Sequence, residues 1–258
     1  MELLEISNNR FYYMNKLKSN SSPYNLDRNF VNNIALDLNE RAVSLIIDFD
    51  RFILYAIDKK LELTEKNKYI KRKYLLELNS IFEENMTINR RNLNQVDFPI
   101  IHLFYQLSIK LGLMKIDGEY LVLTKKGTNF VRLKDEEKFT ILFDFIWSKE
   151  FINQVTNINI KSIKIIKKIF VDMINSISPN SYCSLSTIIS SFDEYPNFFI
   201  HYGKYLKYLG LIRLNLYPQY NFEVTSLGKN VFRILKDNED RKENSIVSLE
   251  SYRNKRNF

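Results

Sequence analysis

Cysteine is almost missing from this chain of 258 residues: Cys183 is the one thiol, so no intrachain disulfide can form. That usage suits a reducing compartment. Only two histidines accompany the cysteine, which leaves too few soft ligands for a structural zinc site. With six glycines the chain has little material for phosphate-cradling loops, and neither G-x-x-x-x-G-K-[ST] nor G-x-G-x-x-G occurs in it. H-E-x-x-H is absent as well. No apolar run reaches 18 residues without a charge, so a membrane-spanning helix is not indicated. The first residues, MELLEISNNRFYYMNKL, lack the basic start, apolar core and small-residue cleavage site of a signal peptide. These absences point to a cytoplasmic protein.

What is present is apolar and basic. Hydrophobic residues make up 45% of the chain, enough to build true cores. The formal charge is +8, which raises the prospect of a nucleic-acid partner. The wealth of Asn, Lys, Ile, Tyr and Phe beside scarce Gly, Pro and Trp also fits an AT-rich coding bias. Such a bias fills neutral surface positions with Lys and Asn, so basicity alone is a weak pointer.

One stretch occurs twice. LGLMKIDGEYLVLTKKGTNFVRL runs from Leu111 to Leu133, and LGLIRLNLYPQYNFEVTSLGKNVFRIL from Leu209 to Leu235. Each reads as a helix exit at L-G-L, two short apolar strands, a Thr, a Gly three residues on, and a Phe-containing helix. Gly112 and Gly127 are 15 apart, Gly210 and Gly228 are 18 apart: one unit, with three residues inserted in its hairpin. Repeats of this kind set an architecture.

Around the repeats the spacing predicts helices joined by short hairpins. An apolar-rich helix is expected from about Leu38 to Lys59, capped by Asn39, with Val43, Ile46, Ile47, Phe49, Ile53, Leu54 and Ile57 inward. Leu61–Phe82 reads as a strand, a polar turn and the first helix of copy one, with Ile70, Leu75, Leu78 and Phe82 as its inner stripe. Thr87–Val96 reads as the second helix. Pro99 opens the third and Gly112 ends it. A hairpin turns at Asp117–Gly118, Thr124 caps a closing helix, and another helix spans Glu136–Glu150. Copy two repeats the order: about Lys161–Ile177, Leu185–Phe192, Pro196–Leu209, strands Leu211–Leu214 and Phe222–Val224 around a tip at Tyr217–Tyr220, then Ser226–Leu235. The expected organisation is an N-terminal segment and packing helix over 1–60, unit one over 61–150, unit two over 158–237, and a polar, flexible tail over 238–258. Ser19–Asp27 reads as a turn or linker. The fold class is thus mostly α with short β-hairpins.

This pattern, with L-G-L before the hairpin and T-x-x-G after it, resembles the winged helix-turn-helix superfamily in two tandem copies. More narrowly, KLELTEKNKYIKRKYLLELN followed by LGLMKIDGEYLVLTKKG is similar to a group of uncharacterised bacterial proteins. Their pattern is L-T-x-x-G-N-L, then L-G-L, then L-T-x-x-G. Asn67 stands in place of that group's first glycine, and Ile70 replaces the Leu, displaced by one position. The resemblance covers about residues 38–150 and, more loosely, 161–236. It implies units whose third helix enters a DNA major groove while the wing touches backbone, although many such units bind only proteins. It carries over no catalytic or binding residue.

A reading helix needs an exposed polar or basic face. The third helix of copy one offers only His102, Gln106, Ser108 and Lys110 among apolar neighbours, and reads as core. Copy two offers His201, Lys204 and Lys207 at intervals of three, with Tyr205 and Tyr208 nearby. Lys161, Lys164, Lys167 and Lys168 form a stripe that could neutralise phosphate or simply be a wet face. The densest cluster, KNKYIKRK, holds Lys66, Lys68, Lys71, Arg72 and Lys73 at a helix start, where positive charge opposes the macrodipole. Arg90 and Arg91 lie in the expected second helix. The candidate nucleic-acid contacts are therefore His201, Lys204, Lys207, Lys164, Lys168, Lys68, Lys71, Arg72, Arg90 and Arg91. The wing tips, with Asp117 and Glu119 in the first, are poor phosphate ligands.

No catalytic constellation assembles. Cys183 has no histidine close in sequence and reads as a small apolar residue. Asp50 and Asp58 are two turns apart, and Asp48 and Asp50 point in different directions. Glu83, Glu84 and Asp135–Glu137 read as solvated ends. The expectation is a non-catalytic DNA-binding or regulatory protein without cofactor or metal, with double-stranded DNA as partner. The alternative is a protein-interaction or scaffold module that binds a protein partner or itself as a homodimer.

Overall fold

The computed structural model describes residues 24, 26–82, 93–178, 181–190, 192, 195–215 and 221–254. It is mostly helical with two small antiparallel sheets. In chain order the elements are α1 (Arg28–Ile34), α2 (Glu40–Lys59), α3 (Arg72–Ile81), a 3-10 turn (Gln95–Asp97), α4 (Pro99–Lys110), β1 (Met114–Asp117), β2 (Tyr120–Leu123), α5 (Lys125–Val131), α6 (Asp135–Ile146), α7 (Lys149–Thr156), α8 (Ile160–Ser176), β3 (Tyr182–Ser184), α9 (Leu185–Ser190), α10 (Pro196–Tyr208), β4 (Ile212–Asn215), β5 (Asn221–Val224) and α11 (Ser226–Asn254). The chain forms two compact units, Met1–Leu26 with Ser44–Lys138 and Asp27–Val43 with Phe139–Phe258.

The duplication runs deeper than the repeated sequence. In copy two, β3 precedes α9 and pairs with β5, giving the sheet order β3-β5-β4. In copy one, Glu62 bridges Tyr120 on the outer side of β2, so residue 62 occupies the place of β3. The shared order is helix, short strand, helix, helix, hairpin, helix. The long helix α2 is therefore the first helix of copy one, rather than a packing helix outside it. The helix expected to come first is the second, α3. Of the helix expected over 87–96, residues 87–92 lie outside the described residues, and Gln95–Asp97 is a single 3-10 turn. Ile70 belongs to no helix: it is buried and bridges Leu63.

Each copy is closed by the same polar latch. Gly112 and Gly210 both end their helices at φ +69°, the left-handed region that glycine enters without a Cβ clash. The chain then turns so that Thr124 N–H donates to the Leu113 carbonyl at 2.9 Å, and Thr225 N–H to Leu211 at 3.1 Å. The Thr124 hydroxyl lies 2.7 Å from the Gly112 carbonyl and accepts from Gly127 N–H at 3.1 Å. The Thr225 hydroxyl lies 2.7 Å from Gly210 O and accepts from Gly228 N–H at 3.0 Å. The second glycine of each motif is needed for space. A Cβ at Gly127 would stand 2.2 Å from the Leu113 carbonyl oxygen, and one at Gly228 would stand 2.0 Å from that of Leu211.

Within the first unit, Phe49 packs against Phe104 and Phe130 at centroid distances of 5.1 and 5.5 Å. Along α2, Ile46, Phe49 and Ile53 are buried as expected, but Ile57 is exposed, and Ala42, Leu45, Phe52 and Ala56 are buried too. Asp50 is buried against Lys138, with Nζ 2.6 Å from Oδ2. In the second unit, Trp147 meets Phe232 at 5.3 Å, and the buried Tyr202 hydroxyl donates to Ile146 O at 2.8 Å. Asn39 caps α2 by accepting from Ala42 N–H, and it donates to Gly210 O at 2.7 Å. Lys229 of α11 donates to the carbonyls of Ile174, Asn175 and Ile177, satisfying acceptors orphaned at the end of α8.

Several boundaries differ from the sequence reading. The turn pair of the first hairpin is Gly118–Glu119, since Asp117 already pairs with Tyr120. The helix expected over Glu136–Glu150 is broken where Ser148 accepts from Phe151 N–H and starts α7. Strand β3 is three residues long, too short to show alternation. The closing helix continues to Asn254 instead of ending at Leu235, as neither Gly nor Pro occurs between Lys229 and Asn254.

Gly127→Ala and Gly228→Ala are each expected to destabilise the protein by about 3 kcal/mol, through overpacking against a backbone carbonyl. Gly118→Ala, which meets nothing within 4 Å but has φ +63°, should cost only about 1 kcal/mol. Urea unfolding of the three variants measures the contrast. In the same assay Asp50→Leu alone should cost about 3–5 kcal/mol by stranding a buried ammonium, and Asp50→Leu with Lys138→Met should recover most of that loss.

Candidate nucleic-acid interface

The third helix of copy two is anchored from one side and open on the other. Pro196 sits in its first turn, where a missing N–H costs nothing. Phe198, Phe199, Tyr202, Tyr205 and Leu206 are buried. At 100° per residue the opposite arc carries Ile200, His201, Lys204 and Lys207, all exposed. No acidic residue occurs between Pro196 and Tyr208. Lys204 Nζ lies 5.0 Å from the Tyr205 ring, and the Arg41 guanidinium lies 5.6 Å from the ring of the half-buried Tyr208. Arg41, which the sequence reading did not single out, thus adds positive charge at the C-terminal end of this face. No local signal marks it, because it lies in α2, far away in the chain.

The corresponding helix of copy one is spent on the core. Ile100, Ile101, Leu103, Phe104, Tyr105 and Leu107 are buried, and the buried Ser108 hydroxyl donates to Phe104 O. His102 is held between two glutamines, with Nδ1 3.0 Å from Gln95 Nε2 and Nε2 2.7 Å from the Gln106 amide. Gln95 Oε1 accepts from Ile70 N–H at 2.8 Å, which fixes its Nε2 as donor to His102 Nδ1. The Gln106 contact is likewise through its amide nitrogen. Lys110 is the exposed cation of this helix.

The densest basic cluster is partly neutralised from within. Lys71 and Lys73 each approach a different oxygen of Glu62 at 2.7 Å, and the Tyr74 hydroxyl donates to Glu62 at 2.9 Å. Hydrogen bonds from Lys71, Lys73 and Tyr74 hold the Glu62 carboxyl down at about 2. Lys71 also lies 3.8 Å from Glu119. Glu62 therefore supplies an anion at a helix start crowded with cations. Lys68, not Asn67, takes the left-handed backbone, at φ 53°, and its carbonyl accepts from the Tyr105 hydroxyl at 2.5 Å. Arg72 is exposed in the first turn of α3. Arg90 and Arg91 lie outside the described residues, as does the second wing tip, 216–220.

The lysine stripe of α8 is split. Lys161, Lys164 and Lys168 are exposed. Lys167 turns inward, donating to Trp147 O at 2.9 Å with its ammonium 4.8 Å from the Trp147 ring. Burial, helped by Lys149, pushes its pKa down to about 8. Lys168 interacts electrostatically with Lys236 of α11, itself paired to Asp172 at 2.9 Å. Ile160, Ile165 and Ile169 are exposed among these lysines, so the face is mixed.

The carboxylates weighed for chemistry have structural partners. Asp48 pairs with Arg51 at 3.0 Å, and Asp50 with Lys138. Cys183 is half-exposed on β3, across from Phe222. Among the described residues no group of three or more His, Cys, Asp or Glu could hold a metal ion, and no helix is long and apolar enough to cross a membrane. Comparison of the chain with protein-family models, curated proteins and solved structures returns no match.

Glu62 gives the first unit a defined acid response. Its folded pKa of about 2 lies below the ordinary 4.5, so the stability it contributes is complete above pH 4.5 and is lost as pH falls toward 2. Urea unfolding between pH 2 and 6 should show a shallower acid dependence for Glu62→Gln than for the parent chain.

Proposed function

We propose that the protein is a non-catalytic, cytoplasmic DNA-binding regulator of the winged-helix type, in which α10 meets the major groove of double-stranded DNA. The observation that carries this reading is the exposed arc of His201, Lys204 and Lys207 on a helix without a single acid. Lysines on such an arc suit phosphate oxygens or guanine edges, and a histidine can donate or accept at a base edge. The helix order and hairpin of copy two support this reading. Lys164 and Lys168, exposed on α8, supply backbone contacts in the same reading. Lys68 and Arg72 supply further backbone contacts in this reading, and Lys71 contributes less, because Glu62 already holds it.

A second reading has its own support. The exposed acidic tip of the first wing, with Asp117 and Glu119, suits a protein-interaction role for copy one, whose third helix is taken up by its own core. The two readings assign different copies, so one protein can hold both.

A titration of the full chain with random-sequence duplex DNA at 50 and 200 mM salt tests the DNA reading. Affinity should fall steeply with salt. Lys204→Ala with Lys207→Ala should reduce the slope of log affinity against log salt by about 2. No binding at the lower salt, or an unchanged slope in the double variant, would refute the role of α10.

A further inference from the structure

The first wing presents, at Ile116, a strand edge that no other described strand pairs with. On β1, Lys115 faces Val122 and Asp117 faces Tyr120. The bond from Thr124 N–H to Leu113 O sets the phase of the ladder. Residues 113, 115 and 117 direct their backbone groups toward β2, and the N–H and C=O of Met114 and Ile116 point to the opposite edge; of these two, Met114 is buried and Ile116 is exposed. The other side of the hairpin is occupied: Leu121 N–H donates to Leu61 O at 2.9 Å, and Leu63 N–H to Glu119 O at 2.7 Å. Among the described residues no strand pairs with the outer edge of β1. Lys115, Ile116 and Asp117 are all exposed, as are Tyr120 and Val122 behind them.

An open edge of this kind is a template for another strand, and the charges on it name the occupant. Lys115–Ile116–Asp117 is self-complementary. Two antiparallel copies centred on Ile116 set each Lys115 against the Asp117 of the second copy, twice by symmetry. A register centred on Lys115 sets lysine against lysine, so charge selects between the two. Within one chain, Lys115 and Asp117 are 3.8 Å apart with side chains 65% and 69% exposed, a geometry of little worth in water. The second wing lacks this device. Its end strand β4 has Ile212 buried, and Arg213 is committed to Glu223 at 2.9 Å.

We infer that the β1 edge is a homodimerisation surface, in which two copies of the chain pair antiparallel about Ile116 and join their wings into one sheet. The inference stands apart from the DNA reading, since it uses only the wing of copy one. The short exposed edge around Ile116 buries less than the roughly 1,200 Å² of a stable interface, so monomer and dimer exchange with concentration.

Sedimentation equilibrium of the full chain over rising concentration at low salt tests it. The parent chain should pass from monomer to dimer. Lys115→Glu and Asp117→Lys should each weaken dimerisation by about tenfold, because each sets like charges face to face. The double variant should regain the parent affinity. An equimolar mixture of the two single variants should also dimerise, since every acid at 115 or 117 then faces a base. That recovery cannot come from misfolded chains. A chain that stays monomeric throughout, single variants that associate like the parent, or a double variant as weak as the singles would each overturn the inference.

Discussion

A threonine hydroxyl clamped between a helix exit and the next helix start is the interaction on which both copies depend. It bonds the carbonyl of a left-handed glycine on one side and the N–H of a second glycine on the other. It thereby fixes the angle at which a hairpin leaves its third helix and returns to a closing helix. The second glycine has no substitute, because the neighbouring leucine carbonyl fills the volume where a Cβ would stand. The aromatic cores of each unit assemble around chain directions set by this latch.

Because the latch holds the backbone, the two third helices are free to differ. Copy one fills its helix with Ile, Leu and Phe and ties His102 to two glutamines, leaving little to offer a ligand. Copy two keeps aromatic anchors on one side and gives the other to His201, Lys204 and Lys207. The same division recurs in the wings. Copy one has a tight turn with an open, charge-patterned edge, whereas copy two locks Arg213 onto Glu223. One duplicated frame thus carries two unequal surfaces.

Legibility followed sequence distance. The Pro–Gly brackets of α4 and α10, the Thr124 cap and the hairpins were readable because each depends on residues a few positions apart. The asymmetry of the third helices was readable for the same reason. The partnership of Lys71 and Lys73 with Glu62 was not, since a turn folds the strand back on the helix start and the intervening polar residues give no period. Asp50 and Lys138 lie 88 residues apart, and both look like surface residues in their own helices. Strand β3 was missed because three residues cannot show alternation. The first helix of copy one was misassigned because the pairing of Glu62 with Tyr120, which defines the unit, is a long-range backbone contact.

The sequence by itself determined the duplicated unit and its helix-and-hairpin content. These follow from local backbone preferences: where glycine must take a positive φ, where proline can start a helix, where a hydroxyl can cap one. The tertiary structure alone decided which helix opens each unit, which lysines are neutralised and which strand edge stays open. Those outcomes depend on which distant groups meet, and burial and pairing change what a charge can do while leaving no trace in the local pattern.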